Sequence, residues 1–131
     1  MDCTVLVIED SPVIQRLIEV CLNPAGFQIE TADDGEAGIA AARELKPEVV
    51  VLDVGLPVMD GWQVLNALQA DPETADIRVL VLTAHAQDEL RAQATGAGAA
   101  GFLTKPFRPD DLRAAVVGLA PTVAAGEGRT A

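Results

Sequence analysis

Glu9, Asp10, Asp53, Thr83 and Lys105 each end or follow a short apolar run. Val5–Ile8 leads into Glu9 and Asp10, Val49–Leu52 into Asp53, and Val79–Leu82 into Thr83. Phe102-Leu103 leads through Thr104 to Lys105. Three carboxylates drawn together raise the pKa of at least one of them, and a bound divalent cation relieves the crowding. Hard oxygen ligands favour magnesium, which keeps several waters and takes one or two carboxylates plus a phosphate oxygen. Lys105 offers a point charge on a long stem and Thr83 a hydroxyl, both suited to phosphoryl oxygens. A carboxylate beside a cation and a lysine can act as a nucleophile and form an aspartyl phosphate. Phosphoryl transfer asks mainly for positioning and charge neutralisation, and this set supplies both.

These side chains meet only if the runs are neighbouring strands. Continuous apolar runs rich in Val, Leu and Ile suit strands buried on both faces of a parallel sheet, and ligands of such sheets bind outside the carboxyl ends of the strands. Thr4–Ile8 reads as the first strand, and Ser11 as the N-cap of a helix with Pro12 at its first position. Val13, Ile14, Leu17, Ile18 and Cys21 predict one apolar face of that helix, closed by Asn23, Pro24 and Gly26. Phe27–Thr31 alternates and reads as a half-exposed edge strand. Asp33-Asp34-Gly35 turns into an Ala-rich helix, Glu36–Leu45, which Pro47 ends before the strand Glu48–Leu52. Pro57 and Gly61 bracket a loop, helix Trp62–Ala70 runs to the Asp71-Pro72 break, and Ile77–Leu82 is the fourth strand. Gln87–Thr95 reads as a fourth helix, Gly101–Leu103 as a fifth strand, and Asp110–Leu119, opened by Pro109, as the last helix. Five strand–helix pairs imply an α/β fold with helices on both faces of a parallel sheet.

The bulk composition agrees. A chain of 131 residues predicts one domain, here residues 1–119, burying roughly two-thirds of its unfolded surface. Residues 120–131 lack periodicity and read as a disordered tail or linker stub. Nine basic against twenty acidic residues leave a net charge of −11, which opposes nucleic-acid and anionic-membrane binding. Cys3 and Cys21 are too few for a disulfide framework and read as reduced core thiols, as in the cytoplasm. No signal peptide or transmembrane run is visible. Gly96-Ala97-Gly98-Ala99-Ala100-Gly101 has the spacing of a dinucleotide-binding loop but follows a helix and precedes a strand, so it reads as a tight helix-to-strand connection.

Four segments together resemble the receiver domain of two-component response regulators. They are Val7-Ile8-Glu9-Asp10-Ser11, Asp53-Val54-Gly55-Leu56-Pro57-Val58-Met59-Asp60-Gly61, Leu82-Thr83-Ala84 and Lys105-Pro106-Phe107. The resemblance covers about Thr4 to Leu119. It implies a flavodoxin-like, doubly wound (βα)5 fold with a five-stranded parallel sheet of order 2-1-3-4-5. It implies that Asp53 accepts a phosphoryl group from a histidine kinase or histidine phosphotransfer protein. Magnesium (Mg2+) would be held by Glu9, Asp10, Asp53 and the backbone carbonyl of Gly55. Thr83 and Lys105 would bind the phosphoryl group, and Phe102 would be the aromatic that turns with Thr83. The Lys105–Pro106 bond would be cis. The face of the fourth helix, fifth strand and last helix would then change and regulate a downstream output protein or domain.

Two other classes compete. An aspartate-dependent phosphohydrolase of the haloacid dehalogenase type places a second acid two residues after its nucleophile, where this chain has Gly55. A receiver that works without phosphorylation would not need the complete set of acids, threonine and lysine. The expectation is a signalling switch rather than an enzyme, one that assists its own phosphorylation and loses the phosphoryl group slowly. Trp62 reads as packing at a helix start, and His85 as a loop or helix-start residue without catalytic duty.

Overall fold

The computed structural model describes residues 3–53, 61–83, 96, 98–105 and 107–119. Within them five parallel strands form one sheet in the order β2-β1-β3-β4-β5, as expected. The strands are β1 (Thr4–Ile8), β2 (Gln28–Ala32), β3 (Val49–Asp53), β4 (Arg78–Thr83) and β5 (Gly101–Thr104). Helices α1 (Pro12–Leu22), α2 (Gly35–Leu45) and α3 (Gly61–Ala70) and a C-terminal helix, Pro109–Leu119, cover it.

Strand alternation sorts the core into two layers. Val5, Val7, Val49, Val51, Leu80 and Leu82 face one side, with Ile18 and Cys21 of α1 and Leu112 and Val116 of the C-terminal helix. Leu6, Ile8, Val50, Leu52, Val79 and Val81 face the other, with Ala42 of α2 and Val64, Leu65 and Leu68 of α3. That double burial is why the three central runs are continuously apolar. Cys3 and Cys21 are buried in the first layer, as read from sequence.

Helix starts follow their capping residues. The Ser11 hydroxyl accepts from the Ile14 N–H at 3.3 Å, and the Asp34 carboxylate accepts from the Ala37 N–H at 2.8 Å. Gly26, at φ 83°, closes the 3-10 turn Asn23–Ala25 that ends α1. Gly38 lies against Ile8, the residue before Glu9: a Cβ at Gly38 would stand 2.5 Å from Ile8 Cδ1. At the far end of the sheet, Arg78 at the start of β4 donates to the Leu119 carbonyl at 3.1 Å.

Three expectations are corrected. Val13 and Leu17 do not join the buried face of α1; they are 75% and 41% exposed, on one stripe with Val20 at 52%. The buried side is Ile18, Cys21 and Leu22, with Ile14 packed beside them. Strands two, three and four each begin and end one residue later than expected, which brings Asp53 and Thr83 inside the ladder. The last helix begins at Pro109 itself. The predicted helix Gln87–Thr95, Gly55, Pro57, His85, Pro106 and the tail from Ala120 lie outside the described residues. Gly98 sits in a turn at φ 98° just before β5, which fits a connection and not a nucleotide loop.

Candidate functional site

β1 and β3 are adjacent, but the chain leaves them in opposite directions, since β2 lies outside β1 and β4 outside β3. Ligands of open α/β sheets bind at such a switch point, beyond the carboxyl ends of the strands. Glu9 leaves β1 there and Asp53 ends β3. Carboxylate oxygens of Glu9, Asp10 and Asp53 lie within 4.8 Å of one another. Glu9 and Asp53 are buried, at 2% and 6% exposure, whereas Asp10 faces solvent.

Lys105 reaches this cluster from beyond β5. Its Nζ lies 3.1 Å from Asp53 Oδ2 and 3.3 Å from Glu9 Oε1. Its own N–H donates to the Thr83 carbonyl at 2.7 Å, which fixes the root of the side chain to the end of β4. Thr83 is buried. Phe102 pairs with Val81, and Thr104 with Thr83, so Phe102 and Thr83 are diagonal neighbours on one face of adjacent strands. Phe102 is half-buried and packs on the layer covered by α2 and α3.

The electrostatics follow from this crowding. Burial pushes the Glu9 carboxyl up from 4.5 to about 7; the Asp53 charge adds to the rise, while the Ser11 N–H and Lys105 oppose it. Burial works against the Lys105 charge, but its hydrogen bonds and attraction to Asp53 and Glu9 outweigh that, and its pKa is raised. Among the described residues, one ammonium thus partly offsets three carboxyl groups, and the surplus negative charge suits a small cation.

Of the residues singled out from sequence, Glu9, Asp10, Asp53 and Lys105 converge, and Thr83 ends the strand beside them. Gln15 and Asp33 went unrecognised. The Gln15 amide donates to the Glu9 carbonyl at 2.6 Å and to Asp33 Oδ1 at 2.8 Å. The available signal was an uncharged amide one turn into the helix that follows the acidic pair.

Residues 5–117 match the response regulator receiver domain family. The chain is 41% identical over 112 residues to the DNA-binding dual master transcriptional regulator RpaA of Synechocystis sp., covering 86% of this chain and 46% of RpaA. It is 33% identical over 108 residues to protein PilH of Pseudomonas aeruginosa, covering 82% of this chain and 89% of PilH. The chain thus spans about half the length of the transcriptional regulators it matches but most of PilH. Its fold superimposes on chemotaxis protein CheY4 of Vibrio cholerae with a TM-score of 0.85 and 30% identity, over 91% of this chain and 99% of CheY4. Among the described residues no helix is long and apolar enough to cross a membrane. The converging acids, the lysine that bridges them and the family match together place this chain among the response regulator receiver domains, the phosphorylation-dependent switches of two-component signalling.

Proposed function

We propose that Asp53 is the phosphoacceptor, supplied by a histidine kinase or histidine phosphotransfer protein. The observation that carries this is the Lys105 ammonium 3.1 Å from Asp53, within a triple-carboxylate cluster of which Glu9 and Asp53 are buried. An Asp53 oxygen attacks phosphorus as the P–N bond to the donor histidine breaks, and the departing imidazole takes up a proton. Lys105 steadies the carboxylate and the oxygens of the transferring group, and the Thr83 hydroxyl donates to one of them.

Glu9, Asp10 and Asp53 would hold magnesium, which supplies charge neutralisation at the phosphoryl oxygens when bound. Two buried carboxylates and a third that faces solvent are hard oxygen donors with surplus negative charge, and they fit that ion. The Gly55 carbonyl is a further ligand in this reading. Once Asp53 is phosphorylated, Thr83 shifts toward the group and Phe102 follows, which changes the face around β5 and the C-terminal helix. An output protein or domain reads that face. Residues 1–119 act as the receiver unit, and 120–131 as a tail or linker. The chain works in the cytoplasm as a switch and not as a turnover enzyme, since Gly55 offers no acid to drive rapid hydrolysis.

The test is intact mass after incubation with acetyl phosphate and magnesium. The wild type should gain one phosphoryl group, and Asp53→Asn none. A stable phosphoryl group on another carboxylate in that variant would refute the assignment.

A further inference from the structure

Glu9 is held at each of its polar groups. Its N–H donates to the Ala32 carbonyl at 3.0 Å, and Oε2 accepts from the Ser11 N–H at 3.2 Å. Oε1 lies 3.3 Å from Lys105 Nζ, and the carbonyl accepts from Gln15 Nε2 at 2.6 Å. The same nitrogen donates its second hydrogen to Asp33 Oδ1 at 2.8 Å. Both partners are acceptors, so the amide must turn its nitrogen toward them. A ring closes: Glu9 to Ala32, Ala32 to Asp33 through the chain, Asp33 to Gln15, and Gln15 back to Glu9. It ties the exits of β1 and β2 to the second turn of α1.

We infer that Gln15 is a positioning residue for the cation held by Glu9, Asp10 and Asp53. This rests on the magnesium reading of that cluster. The amide fixes the Glu9–Asp10 backbone so that both carboxylates face Asp53. Without it, the Glu9 carbonyl and the Asp33 carboxylate are two acceptors turned toward one space, and the β1 exit loses its tether. A neutral amide does this without adding positive charge beside the acids, where a lysine or arginine would oppose the cation. Groups that orient metal ligands change affinity by about 10–100-fold when removed, and Gln15 acts through main chain, so the lower end, about tenfold, applies.

Calorimetric titration with magnesium chloride, paired with melting temperatures in EDTA, tests this. A wild type that binds no magnesium overturns the site reading itself. If it binds, Gln15→Met, which keeps the length and loses the donor, should bind about tenfold more weakly while melting near the wild-type temperature without metal. Asp33→Asn and Asp33→Ala remove the same charge, but only asparagine keeps an acceptor for Gln15. Positioning predicts weaker binding in the alanine variant than in the asparagine one. Equal affinities in those two, or wild-type affinity in Gln15→Met, would overturn the inference. Should Gln15→Met fail to fold, the Asp33 pair still decides.

Discussion

Lys105 contacts Asp53 across an intervening strand: Nζ to Oδ2 is 3.1 Å, although β4 lies between β5 and β3. Strands are spaced by about 4.8 Å, so roughly 10 Å of sheet edge separates the two backbones, a gap closed jointly by the lysine stem, the aspartate side chain and the contact between them. Only a long stem does this, and the Lys105 N–H bonded to the Thr83 carbonyl anchors its base.

Lys105→Ala should therefore do two things. It removes the Lys105 charge from beside Glu9 and Asp53 and should lower metal-free stability at neutral pH by about 1–3 kcal/mol, with the lower end favoured because the Lys105 side chain is 23% exposed. It should also slow phosphorylation by acetyl phosphate. Urea denaturation in EDTA and a phosphorylation time course measure the two effects, and an unchanged rate would remove Lys105 from the chemistry.

Metal-free stability should fall as pH rises between about 4.5 and 7. The Glu9 carboxyl titrates near 7 when folded and 4.5 otherwise, so the folded state binds the extra proton and loses that advantage across this window. Asp71 is held below 3.8, chiefly by the Glu73 N–H, so its opposite effect belongs to more acidic solutions. Melting temperatures in EDTA should show the decline, Glu9→Gln should flatten it, and magnesium should reverse it.

Thr83→Ala should still accept phosphate at Asp53 but lose the response at Phe102. Amide spectra with and without beryllofluoride compare the two proteins. Full-size shifts around Phe102 in the variant would contradict the coupling.

Gly38→Ala pits two local effects against each other. Helix propensity favours alanine by about 1 kcal/mol. Its Cβ would stand 2.5 Å from Cδ1 and 2.8 Å from Cγ1 of the fully buried Ile8. Overpacking of this kind costs about 1–3 kcal/mol, so net destabilisation is expected by thermal melting.

The sheet was legible because its strands are buried on both faces and read as unbroken apolar runs. The ends were less so: Asp53 and Thr83 look like loop residues by polarity, yet parallel pairing continues through them. On α1 the error lies in arc width. Val13, Ile14, Leu17, Ile18, Val20, Cys21 and Leu22 occupy more than half the helix circumference, while the sheet and the C-terminal helix cover only one side. Periodicity cannot say which half of so broad an arc turns inward. The site acids and lysine stood out because each ends or follows a strand. Gln15 did not, since a helical amide carries no mark of a partner 18 residues away such as Asp33.

The Arg78–Leu119 bond gives the molecule two working poles. Arg78 begins β4 and Thr83 ends it, a span of roughly 17 Å along the strand. The guanidinium pins the final turn of the C-terminal helix at the rim opposite the acids. A fluorophore, surface anchor or fused protein joined at Leu119 would start from that opposite rim, leaving the acidic rim open to an incoming donor. Immobilised protein tethered this way suits surface-based measurement of kinase encounter.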